Sequence, residues 1–279
     1  MRQTMRPVSL GRVIETTYVT ENSPQITDIL LIDQLGISKR RAREILLETE
    51  RMHLLKENEE GYVVTDLGHD LIEAIRTGDW SSIHRIMMKY DFYEAFYTAV
   101  NDIGPAERVE LLEYLADSDV RINQTTIDVM SDWTERIGCV QRNIFTGRYY
   151  AISDESRSFI ASFLSEYDKL NRKAGLTLRQ RYVEIPRLRE AVCEELFLSR
   201  DEFDKEFIEI YIRNIGLLEL SGAPITTHAK KSQKKIKSVV FQEMPDCISM
   251  KLTSECYLKG IVYGSKNYYY VAVHGRDLK

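Results

Sequence analysis

Cysteine is scarce in this chain. Its four copies, Cys139, Cys193, Cys247 and Cys256, lie far apart and form no C-x-x-C pair. That spacing argues against a paired-cysteine zinc site and against a disulfide-stapled secreted scaffold, and it points to reduced thiols in a cytoplasmic protein. Long apolar runs are missing too. Nothing approaches the ~18 consecutive apolar residues that a membrane-crossing helix needs, and Met1–Arg6 leads into no apolar signal core, so no membrane partner is expected. A basic excess is also absent: 38 Lys and Arg face 43 Asp and Glu, for a net charge of −5. Sequence-independent coating of nucleic acid depends on neutralising phosphates, so any such contact must come from local basic patches.

Catalytic signatures are missing as well. The chain has no G-x-x-x-x-G-K-[ST] or G-x-G-x-x-G loop to cradle phosphate, no G-x-S-x-G elbow and no histidine pair at zinc-protease spacing. Its five histidines stand singly; His69, near Asp66 and Asp70, reads as part of a surface helix cap. Asp201, Glu202 and Asp204 near Lys205 read as the acidic start of a helix, which the helix dipole favours. The expectation is therefore a protein without enzymatic activity, cofactor or metal.

What is present is a pattern that recurs three times: a polar-started amphipathic helix, a short strand, a turn and a tyrosine-bearing strand. The copies start at Ser38, Asn123 and Ser199 and reach their second strands at Tyr62-Val63-Val64, Tyr149-Tyr150-Ala151 and Tyr268-Tyr269-Tyr270. Repeats of this kind govern the fold class. Thr27 and Ser38 are placed to cap successive helices, and Gly36 between them suits the left-handed residue that ends a helix. A helix, a three-to-four-residue turn with glycine, and a second helix form the helix-turn-helix spacing. The charged stretch Lys56–Gly61 between Leu54-Leu55 and Tyr62-Val63-Val64 reads as a hairpin turn. Thr65-Asp66 then caps a helix that Gly78-Asp79 ends.

Further helices are expected over Ser82–Asn101, Val109–Leu115, Gln124–Ile137 and Asp154–Lys173. The first carries Tyr90, Phe92, Tyr93, Phe96 and Tyr97, an aromatic stripe that reads as packing between modules. It and the Phe159–Tyr167 stripe are also the surfaces offered for a homodimer. Gly104-Pro105 marks one boundary, and Gly175 with Arg179-Gln180-Arg181 marks another. The modules then span residues 8–103, 104–175 and 176–279. In the last one the hairpin region, 217–273, is either one long wing or a small extra sheet.

At Ser38–Val64 the sequence resembles the winged-helix superfamily of DNA-binding domains. Leu54-Leu55-Lys56 through Gly61-Tyr62-Val63-Val64-Thr65 looks like the wing, and Thr65-Asp66-Leu67-Gly68 looks like the exit from it. The resemblance implies a mainly α protein with small β-hairpins, an α+β chain of tandem winged-helix modules joined by linker helices. Within that frame the first recognition helix buries Ala42, Ile45, Leu46, Thr49 and Met52. It turns Arg40, Arg43, Leu47 and Arg51 outward, with Lys39 and Arg41 on the flanks. Arginine clamps phosphate or pairs bidentately with guanine edges; the local alternative is pairing of Arg40 with Glu44 and of Arg43 with Glu50.

The second helix offers Gln124 at its start and Asp128, Ser131 and Glu135 outward, with Arg142 and Arg148 in its hairpin to hold a backbone. The third buries Phe203, Phe207, Ile210 and Tyr211 and shows Glu202, Glu206, Glu209 and Arg213, an acidic face suited to a basic protein partner. Lys230, Lys231, Lys234, Lys235 and Lys237 form a separate positive arm. Together these features predict duplex DNA binding, chiefly through Lys39–Arg51 with help from that arm, in transcription regulation or in a mobile-element or defence system. The alternative is a protein-interaction subunit of a larger assembly that touches no DNA.

Overall fold

The structure is a computed structural model that describes residues 3–23, 25–153, 158–174, 182–222, 239–240, 251–252 and 258–279. The lysine arm at 230–237 and Arg179–Arg181 lie outside the described residues. Helices with small antiparallel strand pairs make up the chain, which divides into two compact units, residues 1–141 and 142–279, apart from residues 240–250, which group with the first. The division falls inside the second hairpin, Val140–Arg142 (β3) and Tyr149–Ala151 (β4).

The first unit opens with Leu10–Asn22 (α1), Asp28–Leu35 (α2) and Lys39–Arg51 (α3), followed by the hairpin Leu55–Asn58 (β1) and Gly61–Val64 (β2). Thr27 and Ser38 cap α2 and α3 by accepting the N–H of Leu30 and Arg41, and Gly36 ends α2 at φ +61°. These polar groups take up amide donors that a helix start leaves without partners. Ala42, Ile45, Leu46, Thr49 and Met52 are buried, so the inner face of α3 is the one its periodicity predicts. Ile26, Leu31, Ala42, Leu46 and Leu55 share one core. Ile26 exchanges backbone hydrogen bonds with Tyr62 of β2 (3.0 and 2.8 Å), and β2 pairs antiparallel with β1. The extended segment before α2 therefore lies beside the last strand of the hairpin rather than the first.

The chain leaves the hairpin through Asp66–Thr77 (α4), capped by Thr65. Gly68 sits here because a Cβ at that position would come within 2.4 Å of the Leu54 carbonyl oxygen. Gly68→Ala is expected to destabilise the protein by about 1–3 kcal/mol through overpacking, although alanine is intrinsically the better helix residue by about 1 kcal/mol. A lowered thermal midpoint checks this, and a raised one would refute it.

The single helix expected over Ser82–Asn101 is two helices, Trp80–Met87 (α5) and Asp91–Ile103 (α6). Tyr90 between them takes an extended backbone, φ −102° and ψ 113°. No glycine or proline marks the break. It brings the Tyr90 hydroxyl onto the buried carboxylate of Glu48, a long-range contact with no local signature. Arg108–Tyr114 (α7), continued by a 3-10 turn at 115–117, and Gln124–Ile137 (α8) complete the helices of the unit. Trp133 of α8 is buried, stacks on Tyr90 and donates its indole N–H to the Val8 carbonyl (3.2 Å). Helix α8 thus packs on the start of the chain, which places it in the first unit although its sequence belongs to the second copy.

The second unit contains Phe159–Ala174 (α9), Tyr182–Glu184 (β5), Ile185–Leu196 (α10), Arg200–Arg213 (α11) and Leu218–Ser221 (β6). Short strands lie at Val239–Val240 (β7) and Lys251–Leu252 (β8), and Ile261–Tyr263 (β9), Lys266–Tyr268 (β10) and Tyr270–Val273 (β11) follow. Pro186 occupies the first turn of α10, where its missing N–H costs nothing. Strand β11 pairs antiparallel with both β5 and β6, with Val271 opposite Val183 on one side and Leu220 on the other. The order β5-β11-β6 repeats the order found around Ile26 in the first unit. Within 217–273, where residues 223–238, 241–250 and 253–257 lie outside the described residues, β11 closes the sheet beside β6, and β9 pairs with β10.

Both aromatic stripes are core. Tyr90, Phe92, Tyr93 and Phe96 are buried in the first unit, and Phe159, Phe163 and Tyr167 join Phe203 and Phe207 in the core of the second. These side chains pack within the chain, while Tyr97 at the end of the first stripe is half-buried.

Candidate nucleic-acid interface

Helix α3 has no acidic residue in its first turn. Three cations follow the Ser38 cap directly, against the helix dipole, which favours anions at that end. Lys39, Arg40 and Arg43 remain 61%, 88% and 62% exposed. Each is already near a carboxylate. Arg40 Nε donates to Glu44 Oε1 (3.0 Å) and Arg43 Nε donates to Asp28 Oδ2 (3.2 Å), with Lys39 Nζ 3.9 Å from the same oxygen. The pairing of Arg43 with Glu50 is not formed; α2 packs beside α3 and brings Asp28 closer, while Glu50 accepts the Glu57 N–H. The Arg40 and Arg41 guanidinium groups hold the Glu44 carboxyl below its usual range.

The other two predicted cations are structural. Arg41 reaches the Pro7 carbonyl (2.9 Å), and Arg51 donates to the Thr4 carbonyl (3.0 Å) and to Glu48. Glu48 is fully buried and also accepts from the Arg6 backbone (3.1 Å) and from Tyr90. The exposed positive patch is therefore Lys39, Arg40 and Arg43, confined to the first two turns. The neighbouring hairpin tip adds Lys56 but also Glu57, Glu59 and Glu60, all exposed.

In the second copy Gln124 is exposed at the first position of α8, as expected. Ser131, assigned outward, is instead buried, and its hydroxyl donates to the Asp128 carbonyl. Asp128 and Asp132 are paired with Arg108 and Arg136. Arg142 and Arg148 are both engaged. Arg142 lies over the Tyr149 ring and donates to the Gly147 carbonyl, and Arg148 pairs with Glu194 (3.0 Å).

The turn that carries them is seated on α10. Asn143 donates to Glu194 (2.6 Å) and to the Glu190 carbonyl (3.2 Å), and the Ile144 N–H donates to Glu190 Oε2 (2.9 Å). Arg200 binds Glu190 through both of its oxygens and the Arg142 carbonyl (2.7 Å). None of Asn143, Glu190, Glu194 and Arg200 stood out in the sequence. Glu190 and Glu194 share a helix face at i, i+4, which also describes an ordinary solvated surface.

In the third copy Glu202 is used in the capping box with Ser199, and Asp204 is bound bidentately by buried Arg189. Asp201, Glu202 and Asp204 are thus not gathered around one point. Tyr211, assigned to the inner face, is only half-buried. Outward lie Glu206, Glu209 and Arg213, with Ile212 and Ile215 49% and 70% exposed. Of the single thiols and histidines, Cys139 accepts or donates with Tyr93 (3.1 Å), and burial pushes its thiol up to about 11. His84 meets the same Tyr93 hydroxyl (3.0 Å), and burial lowers its pKa. Of these three groups only Tyr93 is fully buried; His84 and Cys139 are half-buried.

Comparison with known protein families, with curated proteins and with solved structures finds no match. No helix among the described residues is long and apolar enough to cross a membrane.

Proposed function

We propose that this chain is a tandem winged-helix protein without enzymatic activity that binds duplex DNA through the first two turns of α3. The carrying observation is the exposed trio Lys39, Arg40 and Arg43 at the start of the third helix of a helix–bridge–helix–helix–hairpin unit. A recognition helix meets base edges and phosphates with its N-terminal residues. The shared strand order around Ile26 and around β5 supports reading the first and third copies as the same module. Lys39, Arg40 and Arg43 are the contacts expected to matter most; Arg41 and Arg51 hold the N-terminal segment, Arg142 braces its own hairpin, and Arg148 holds α10. Transcription regulation is the role that suits such a protein.

Fluorescence anisotropy with a mixed-sequence duplex across a salt series tests this. Arg40→Ala with Arg43→Ala is expected to weaken binding about tenfold or more and to flatten the slope of log affinity against log salt by about 2, at roughly 0.9 per phosphate contact. An affinity unchanged by the double substitution removes α3 from the interface. The second reading, a protein-interaction subunit, is favoured by Glu206, Glu209 and Ile212 on the outer side of α11, by exposed Ile215 just past its end, and by the acidic hairpin tip beside α3.

A further inference from the structure

We propose that Asp28 and Glu44 are built-in counter-charges that attenuate phosphate binding by α3, so that a duplex is retained only where base contacts supplement the backbone ones. This rests on the DNA-binding reading of α3. Asp28 is the first residue of α2 and Glu44 lies one turn into α3. Between them they stand within 4 Å of all four cations at the start of α3: Asp28 faces Lys39 and Arg43, and Glu44 faces Arg40 and Arg41. The Asp28 contacts cross from one helix to another, so the packing of α2 on α3 fixes them rather than side-chain chance.

Asp28 suits the first turn of α2, where the dipole favours an anion, but the stability of α3 does not account for the cations it faces. Three cations in the first turn oppose the helix dipole, and an arginine placed four residues before a glutamate is the weaker order for an i, i+4 pair. The arrangement does have a consequence for an approaching phosphate. A phosphate that binds Arg40 or Arg43 must either displace the carboxylate about 3 Å from its Nε or take the remaining N–H groups and lie close to that negative charge. Exposed pairs of this kind are weak enough to exchange, so contact is damped rather than blocked. The cost falls on every duplex alike, and only a sequence that adds hydrogen bonds to its base edges offsets it.

The test is fluorescence anisotropy of the full chain with a mixed-sequence duplex at low and moderate salt. Wild type is compared with Asp28→Asn, Glu44→Gln, their double variant and the Arg40→Ala/Arg43→Ala protein. Each neutral amide is expected to tighten binding about three- to tenfold at low salt, with the gain shrinking as salt rises, because it arises from charge screened over ~10 Å. Thermal melting confirms that each variant folds. Glu44 is partly exposed on α3, so Glu44→Gln decides the matter even where Asp28→Asn loosens α2. If the amides bind as wild type while the arginine variant binds worse, attenuation is overturned and the DNA reading stands. If no protein binds the duplex, the double amide included, both fall.

Discussion

Glu190→Ala is expected to destabilise the second unit by about 3–5 kcal/mol, the loss typical of a buried ion pair stripped of one partner. Glu190 is fully buried, and the Arg200 side chain opposite it is 13% exposed. Removing the carboxylate strips a largely buried guanidinium of its counter-charge and orphans the Ile144 N–H, which donates to the same group. The damage should localise. Hydrogen exchange should quicken in the turn at 142–148 and in α10 and α11, with α3 unaffected. Replacing the pair together, Glu190→Leu with Arg200→Met, should recover most of the loss, because an apolar pair of similar volume is often no less stable than a buried ionic one. Recovery stops short by the orphaned amide, about 1–3 kcal/mol. An alanine variant with wild-type stability would mean that water reaches the site and solvates Arg200.

Glu48→Ala is expected to cost about 3 kcal/mol in the first unit, again as a buried charge lost from a network. The carboxylate gathers Arg6, Arg51 and Tyr90, and so ties the N-terminal segment and the start of α6 to α3. Its partners are not equally exposed. Arg6 and Arg51 retain 36% and 26% of their side-chain exposure and can turn to water, but Tyr90 cannot. Most of the cost therefore falls on the tyrosine hydroxyl. Tyr90→Phe should lose less on its own, and it should make the added Glu48→Ala change milder than in wild type. Urea unfolding of the two single variants and the double gives the coupling directly. Strictly additive losses would show that the two groups do not act together.

The two networks show where reading residues in order succeeds and where it stops. The helix starts at Thr27, Ser38, Thr65, Asn123 and Ser199 are legible because a cap is a local transaction between a side chain and an amide three residues on. The buried face of α3 is legible for a similar reason, since helical periodicity fixes which residues share a side. The break at Tyr90 is not legible, because the partner that rewards it lies 42 positions away. Glu48, placed among Arg43, Glu50 and Arg51, looks like one more surface charge until Arg6 and Tyr90 converge on it.

The candidate interface divides the same way. Sequence spacing puts five cations on α3 and two arginines in the second hairpin. Tertiary contacts sort them: Arg41 and Arg51 bind backbone carbonyls of the N-terminal segment, Arg142 stays within its own hairpin, Arg148 binds Glu194 of α10, and Lys39, Arg40 and Arg43 stay exposed beside Asp28 and Glu44. Helix caps and the buried face of α3 can be read along the chain, since each depends on neighbours within about one helical turn. Which charges face solvent is settled by packing alone. A charge's exposure depends on what distant segments bring to it, and a guanidinium written as a contact for phosphate serves equally well as a clasp for a carboxylate or a carbonyl.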